Sequence, residues 1–310
     1  MRKVRFHGYD GPSALRVDEL PEPVAGPGEL LVRAEVAGVT LPLLKLLHGF
    51  GELPLPAAPG GEYLGRVVTV GEGVTGHAVG DRVGGVVFEG AKADLVAAPA
   101  ALACAVPEEP AAGPALAVLR GGVVALGALR VGRFEPGESV LVTAAAGGVG
   151  HLAVQLAKAL GAGRVVAAVG SREKADFVRG LGADEVVCYE DENWGAGVDL
   201  VLDGVGGALL PRVVDALAPF GRLVVLSGAG GTLDAGALLR GMKTAVGLSM
   251  AQLAQHRPQL PADCRRELWE LLAEGRLRPV CVEFPLARVA EAAELVESRA
   301  NLGKVVLKVA

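Results

Sequence analysis

Aromatic residues make up only 4% of this 310-residue chain, and charged residues only 21%. With 45 glycines and abundant Ala and Val, the surface is expected to be thinly charged. The formal charge of −5 provides no basic patch on which nucleic-acid binding could rest. The four cysteines, Cys104, Cys188, Cys264 and Cys281, are far apart, and none has a Cys or His neighbour at metal-ligand spacing. They read as reduced structural thiols, with clustering in space left open. No long apolar run is free of interruption. The nearest, Ala111 to Leu129, carries Pro114, four glycines and Arg120. A charge there would cost roughly 2.5–3.5 kcal/mol at a bilayer centre, so a buried helix is the better reading. The opening MRKVRFHGYDGP lacks the apolar core of a signal peptide. A cytoplasmic protein is therefore expected, with neither membrane nor nucleic acid as a partner.

The length allows two domains. Short alternating runs broken by Gly and Pro fill the first hundred residues, as at Leu30–Val36, Gly65–Val70 and Arg82–Phe88. They predict a mostly antiparallel β domain. From Val140 strands alternate with helices: Val140–Thr143, Arg164–Val169, Glu185–Tyr189, Val198–Asp203 and Arg222–Ser227 are the strands. That order predicts an α/β fold, a doubly wound parallel sheet with right-handed crossovers. After about residue 255 come a helix at Arg265–Leu272, a strand at Val280–Phe284, a helix at Ala287–Glu297 and a strand at Val305–Val309. This tail reads more like the first domain than the second. No internal repeat or low-complexity linker is present.

Residues 139–150, SVLVTAAAGGVG, read as a strand entering a turn of the form A-x-x-G-x-x-G, from Ala144 through Gly147 to Gly150. The turn opens a helix whose Val149, Leu152, Ala153, Leu156 and Leu160 share one face. Glycines there let the backbone approach a pyrophosphate, and the helix N-terminus offers unpaired N–H groups. In this context the motif predicts a dinucleotide. An NAD site would place Asp or Glu about 20 residues further on, for the ribose 2′-OH. Here the chain reads Gly170-Ser171-Arg172-Glu173-Lys174. A hydroxyl and two cations suit the 2′-phosphate of NADP(H) through charge-assisted hydrogen bonds. The same residues also fit a Ser N-cap followed by solvated charges.

The stretches AAAGGVGHLAVQLAKALGA, GSREK, LGADEVV with Tyr189, VDLVLDGVGG and GRLVVLSG resemble the quinone oxidoreductase (zeta-crystallin-like) branch of the medium-chain dehydrogenase/reductase superfamily. PGELLVRAEVAGV, PAAPGGEYLGRVVTVGEGVTGHAVGDRV and the closing GKVVL agree, so the resemblance spans nearly the whole chain. It implies a GroES-like, mainly antiparallel substrate domain from residues 1–118 and 256–310, and a Rossmann NADP-binding domain from 119–255. It also implies cofactor contacts from Ala146, Gly147, Gly148, Val149 and Gly150, from Gly170, Ser171, Arg172 and Lys174, and from Tyr189, Ser227 and Gly228. Zinc-dependent members of the superfamily carry a Cys where Thr40 stands and a His where Gly61 stands. Neither ligand is present, so a zinc-independent enzyme is expected.

Within that branch the usual Asn, acidic residue and Thr are replaced by Thr40, Leu43 and Val124. The implied pocket is less polar and suits a hydrophobic small-molecule acceptor. Thr40 and Tyr63 are the candidate catalytic residues, each with a plainer reading. Thr40 equally reads as a hydroxyl at a strand end bonded to backbone, and Tyr63 as an amphipathic residue at a domain edge. Lys45, His48 and Phe50 follow in a segment that reads as surface or packing, and Glu62 as a structural residue. Three functions stay open: an NADPH-dependent quinone or enone reductase, an enoyl reductase acting on a polyketide-like or thioester intermediate, and a catalytically silent NADPH-binding protein. A homodimer through edge strands near Lys243–Met250 is implied by the resemblance alone.

Overall fold

The computed structural model describes residues 1–226 and 228–309. The chain divides into two compact units, Met1–Arg120 with Val280–Ala310, and Gly121–Pro279. In chain order the first unit contributes β1 (Arg2–Phe6), β2 (Leu15–Glu19), β3 (Glu29–Val39), β4 (Pro59–Val70), β5 (Arg82–Glu89), β6 (Leu95–Pro99) and β7 (Ala103–Ala105). The second contributes β8 (Ser139–Val142), β9 (Arg164–Val169), β10 (Glu185–Cys188), β11 (Val198–Asp203), β12 (Leu217–Val225) and β13 (Thr244–Gly247). The chain then returns to the first unit for β14 (Cys281–Pro285) and β15 (Lys304–Lys308).

The first unit is built on a sheet of order β14-β15-β3-β4-β5-β7, with β6 also paired to β3 and β1 paired to β2. Its pairings are antiparallel except β14 with β15. The last strand lies along β3, Val305 opposite Val39 and Leu307 opposite Ala37, so the chain's end completes a sheet begun by its start. Period-2 alternation turns Leu30, Val32 and Ala34 of β3 into the core with Tyr63 and Val67 of β4. The helix Val289–Glu297 adds Val289, Ala292, Ala293 and Val296 to that core.

In the second unit the strand order is β10-β9-β8-β11-β12-β13, with every neighbour parallel. The chain leaves β8 outward through β9 and β10, then returns to the other side of β8 for β11. Ligands of such sheets bind beyond the strands' carboxyl ends at the point of reversal, here between β8 and β11. The helix Gly150–Ala159 buries Leu152, Ala153 and Leu156 as its spacing predicts, and His151, Val154 and Gln155 as well. The helix Leu210–Asp215 packs Leu210, Val213 and Val214 on Val166, Ala168, Val201 and Leu223. Each fully buried Leu contributes about 1.5–3 kcal/mol relative to exposure.

The second junction between the units falls at Pro279/Val280, not near the expected residue 256, and the first at Arg120/Gly121 rather than after 118. The physical reason is the helix Gln259–Ala273, which belongs to the second unit. Its Leu268 meets the side-chainless Gly122, where an added Cβ would stand 3.2 Å from Leu268 Cδ1. Glu267 pairs with Arg130 at 2.7 Å. Beyond the helix, the Arg278 amide donates to Gln155 Oε1 at 2.8 Å and Arg276 donates to the Ala159 carbonyl at 2.6 Å.

The apolar run expected to be a buried helix is helical over Ala112–Val131, with a π-turn at Val118–Gly122 inside it. It is long and apolar enough to cross a membrane by length and composition, but 78% of its apolar window is buried in protein. All four cysteines are free thiols. Burial pushes Cys264 and Cys281 up to about 11, which leaves both as unreactive thiols near neutral pH.

Candidate functional site

The predicted glycine turn sits at the carboxyl end of β8, at the reversal of the sheet. Gly150 packs against the turn's own start: a Cβ there would stand 2.1 Å from the Ala144 carbonyl oxygen. Only glycine allows that contact. The Gly147 amide donates to the same carbonyl at 2.8 Å. Ala144 takes φ +48°, a left-handed conformation uncommon for a residue with a side chain. Its amide donates to the Tyr189 hydroxyl at 2.7 Å. His151, fully buried one residue into the helix, makes a 2.9 Å contact from Nδ1 to the Gly147 carbonyl. Gly121 lets its helix approach the turn, since a Cβ there would lie 2.9 Å from the Gly148 carbonyl.

A buried polar pair joins β8 to β11 across the reversal. Thr143 Oγ1 donates to Asp203 Oδ1 at 2.7 Å and accepts from the Gly204 amide at 2.9 Å. Asp203, wholly buried, also accepts from Val205 at 3.1 Å and Gly206 at 2.9 Å. Four hydrogen bonds thus fix the two loops that border the crevice. Sequence reasoning quoted VDLVLDGVGG without seeing this role. The signal is an acidic residue ending an apolar strand before three glycines in four positions.

The remaining expected cofactor residues lie at the carboxyl ends of neighbouring strands. Gly170 follows β9, and the Tyr189 ring packs beside it, 3.6 Å from where a Gly170 Cβ would be. Ser171 caps the short 3₁₀ turn Arg172–Lys174 by accepting from the Glu173 amide at 3.3 Å. Arg172 is paired with Asp191, and its side chain is otherwise largely exposed. Gly228 is exposed in the loop after β12. Ser227 lies outside the described residues. The structure thus brings together Ala146 to Gly150, Gly170 to Lys174, and Tyr189 along one sheet edge. The cradle that Gly150 and Gly147 create fits a dinucleotide pyrophosphate at a helix N-terminus.

Thr40 and Tyr63 both lie in the first unit. Thr40 is the partly exposed N-cap of the helix Leu41–Leu47, and its side chain makes no capping bond. Tyr63 does not reach a surface pocket. It is wholly buried, and its hydroxyl has no hydrogen-bond partner among the described residues and faces Gly85, 3.3 Å from where a Cβ would be. Burial, and then the neighbouring Cys104, push the phenol well above the ordinary tyrosine range. Leu43 is buried in the core and Val124 is partly exposed on its helix. His48 contacts Glu297 at 2.6 Å, and Lys45 lies 5.8 Å from the ring centroid of the exposed Phe50, so this segment forms a surface cluster.

Glu62 anchors a second polar cluster. Its carboxylate pairs with Lys304 on β15 and lies 3.7 Å from Arg120 Nε. It reaches Lys304 across Gly38 of β3, where a Cβ would stand 2.5 Å from Glu62 Oε2. Burial alone would raise this carboxyl, but Lys304, Arg120 and Lys92 together hold it below the usual range. Lys92, 1% exposed, donates to the Gly60 carbonyl at 2.9 Å. Burial lowers its amine to about 8, against partial support from Glu62 and further opposition from Lys304. Nothing in the Ala-rich sequence around Lys92 distinguished it from a solvated lysine. Among the described residues, no group of three or more His, Cys, Asp or Glu is gathered to hold a metal.

Together, a mainly antiparallel unit and a doubly wound unit with a pyrophosphate cradle define a nucleotide-dependent dehydrogenase or reductase. Residues 26–108 match the family described as Alcohol dehydrogenase GroES-like domain, and 181–307 that described as Zinc-binding dehydrogenase. A probable quinone oxidoreductase from Leishmania amazonensis is 32% identical over 323 residues, covering 94% of this chain and 91% of that protein. A mycocerosic acid synthase-like polyketide synthase from Mycolicibacterium smegmatis is 31% identical over 303 residues. That match takes in 92% of this chain but 14% of the synthase. The crystal structure of Escherichia coli quinone oxidoreductase complexed with NADPH superposes with a TM-score of 0.89 at 29% identity, covering 100% of this chain and 100% of that one. The chain belongs to the medium-chain dehydrogenase/reductase superfamily, in its quinone oxidoreductase branch.

Three outcomes follow from this geometry. Gly150→Ala is expected to displace the turn, weakening dinucleotide binding at least tenfold in a fluorescence titration and costing about 1–3 kcal/mol of stability. Unchanged affinity would contradict the cradle. Thr143→Val strands part of the buried Asp203 and should cost about 1–3 kcal/mol in urea denaturation, with Thr143→Ser close to the parent. For Lys92 the folded value of about 8 lies below the ordinary 10.5. Between those values the unfolded chain holds more protons, so this contribution to stability rises with pH. At pH 7 the buried ammonium is a burden, and Lys92→Met should gain about 1–3 kcal/mol there. The gain should fade as pH climbs from 8 toward 10.5, and a melting-temperature difference independent of pH would refute it.

Proposed function

We propose that the protein is an NADPH-dependent, zinc-independent reductase of quinones or of C=C bonds conjugated to a carbonyl. The observation that carries this is the cradle at the switch point followed by Gly170-Ser171-Arg172-Glu173-Lys174, in which no carboxylate directly ends β9 to repel a 2′-phosphate and Ser171, Arg172 and Lys174 offer donors. Bound NADPH supplies a hydride. The chain's own contribution is to hold and orient: the turn from Ala146 to Gly150 receives the pyrophosphate, its Gly147 amide closing the turn on the Ala144 carbonyl, and Tyr189 fixes the start of the turn. Ser171, Arg172 and Lys174 supply donors for the 2′-phosphate, with Arg172 turning from Asp191 and Ser171 already oriented by the Glu173 amide. Thr40 contributes a hydroxyl that no capping bond occupies. The acceptor in this reading is a hydrophobic small molecule, as the resemblance to the quinone oxidoreductase branch implies.

A second reading is an enoyl reductase on a polyketide-like or thioester-bound intermediate, favoured by the match to the polyketide synthase over 92% of this chain. Turnover of quinones, simple enones and enoyl thioesters, followed at the NADPH absorbance, separates the two. For either reading kcat/KM should be at least tenfold higher with NADPH than with NADH. Lys174→Ala should lower it about 10- to 100-fold with NADPH and little with NADH, the size of one charge-assisted hydrogen bond. Equal or better use of NADH would overturn the cofactor assignment.

A further inference from the structure

The first unit gathers three cations, Lys92, Lys304 and Arg120, around one carboxylate. Glu62 is engaged by Lys304 and Arg120, and it acts on Lys92 only from beyond ion-pair distance. Among the described residues the Lys92 amine has one hydrogen-bond acceptor, the Gly60 carbonyl at 2.9 Å. An ammonium carries three donors, so two are unused. A buried cation in that state is costly unless something completes its coordination. The backbone beside it is shaped to leave room. Gly61 has φ +137°, and Lys92 Nζ stands 3.0 Å from where its Cβ would be. Gly60 cannot carry a side chain either, since a Cβ would stand 2.4 Å from the Phe88 carbonyl. Gly60, Gly61 and Glu62 are all partly exposed, so the segment beside the buried amine reaches the surface.

We propose that Lys92, with the side-chainless Gly60–Gly61 segment beside it, is an oxyanion site whose unused N–H donors receive a phenolate- or enolate-type oxygen. The chemistry of the ligand rests on the reductase reading, because a quinone or conjugated carbonyl becomes such an oxygen on reduction. Glu62 is the positioning residue: saturated by Lys304 and Arg120, it leaves the Lys92 charge for the ligand. Burial first, and then Lys304, the other charged group acting on Lys92, oppose its protonation, so the site carries its charge below about pH 8.

The probe is 4-nitrophenol, whose absorbance reports its ionisation, titrated into the full chain without NADPH. The parent protein should bind the phenolate and shift its apparent acid constant to lower pH, with affinity falling above about pH 8. Lys92→Met should bind it at least tenfold more weakly, while 4-nitroanisole, which cannot ionise, should bind both proteins alike. Fluorescence titration with NADPH confirms that the variant is folded, and Lys92→Arg, which keeps the charge, should retain part of the affinity. Absence of phenolate binding by the parent, equal binding by Lys92→Met, or no decline above pH 8 would overturn the site. Quinone turnover on the same samples keeps the two proposals apart. Turnover without Lys92-dependent phenolate binding overturns the site alone. Lys92-dependent binding without turnover of any acceptor supports the site and overturns the reductase reading.

Discussion

No side chain can stand between Gly150 and the Ala144 carbonyl, and much of the second unit is arranged around that contact. The carbonyl accepts from Gly147, which closes the turn, while Ala144 itself is held in a left-handed conformation by the Tyr189 hydroxyl. Tyr189 comes from the end of β10, two strands away from β8 in the sheet. The turn is thus braced from outside its own segment. Its strain is of the order of 1 kcal/mol or more for a non-glycine residue, and the surrounding bonds over-determine it. The result is a fixed turn at the carboxyl end of β8 that opens the helix Gly150–Ala159, whose N-terminus suits an anionic ligand.

Thr143 and Asp203 extend the same logic to the far side of the reversal. β8 and β11 are paired in parallel as far as Val142 and Leu202, but the sheet ladder does not itself tie the loop after one to the loop after the other. A hydroxyl that donates to Asp203 and accepts from Gly204 does so with no charge left unsatisfied. Buried carboxylates are tolerated when their lone pairs are filled, and Asp203 has three donors.

What could be read in the sequence was what the backbone demands locally. The glycine spacing of the turn, the strand periods and the face of the helix after it are short-range requirements, and the structure meets them. The position of the second junction depends on a long-range event, the docking of Leu268 on Gly122, so a change of texture near residue 256 misplaced it. Tyr63 shows another limit. It follows Glu62 in a strand, and consecutive residues of a strand point to opposite faces. Proximity in sequence to a polar residue therefore puts Tyr63 on the other side, in the core. Lys92 carried no local signal because its character comes from Glu62 and Lys304, distant in sequence.

The two units treat buried polarity differently. In the second, Thr143, Asp203, His151 and Gln155 are buried and each has identified partners. In the first, the Tyr63 hydroxyl is orphaned and the Lys92 ammonium holds one bond of three. The orphaned hydroxyl is a neutral defect of about 1–3 kcal/mol in a core otherwise filled by aliphatic residues and Phe6. The ammonium is different, because a lysine could lose its charge cheaply by mutation to Met or Leu in such an apolar setting. Gly38 and Gly61 give up side chains, one so that Glu62 can cross β3 to Lys304, the other so that the Lys92 amine has space. A backbone that yields room twice for the same charges is organised around them, and the uncompensated positive end of that arrangement faces Gly61.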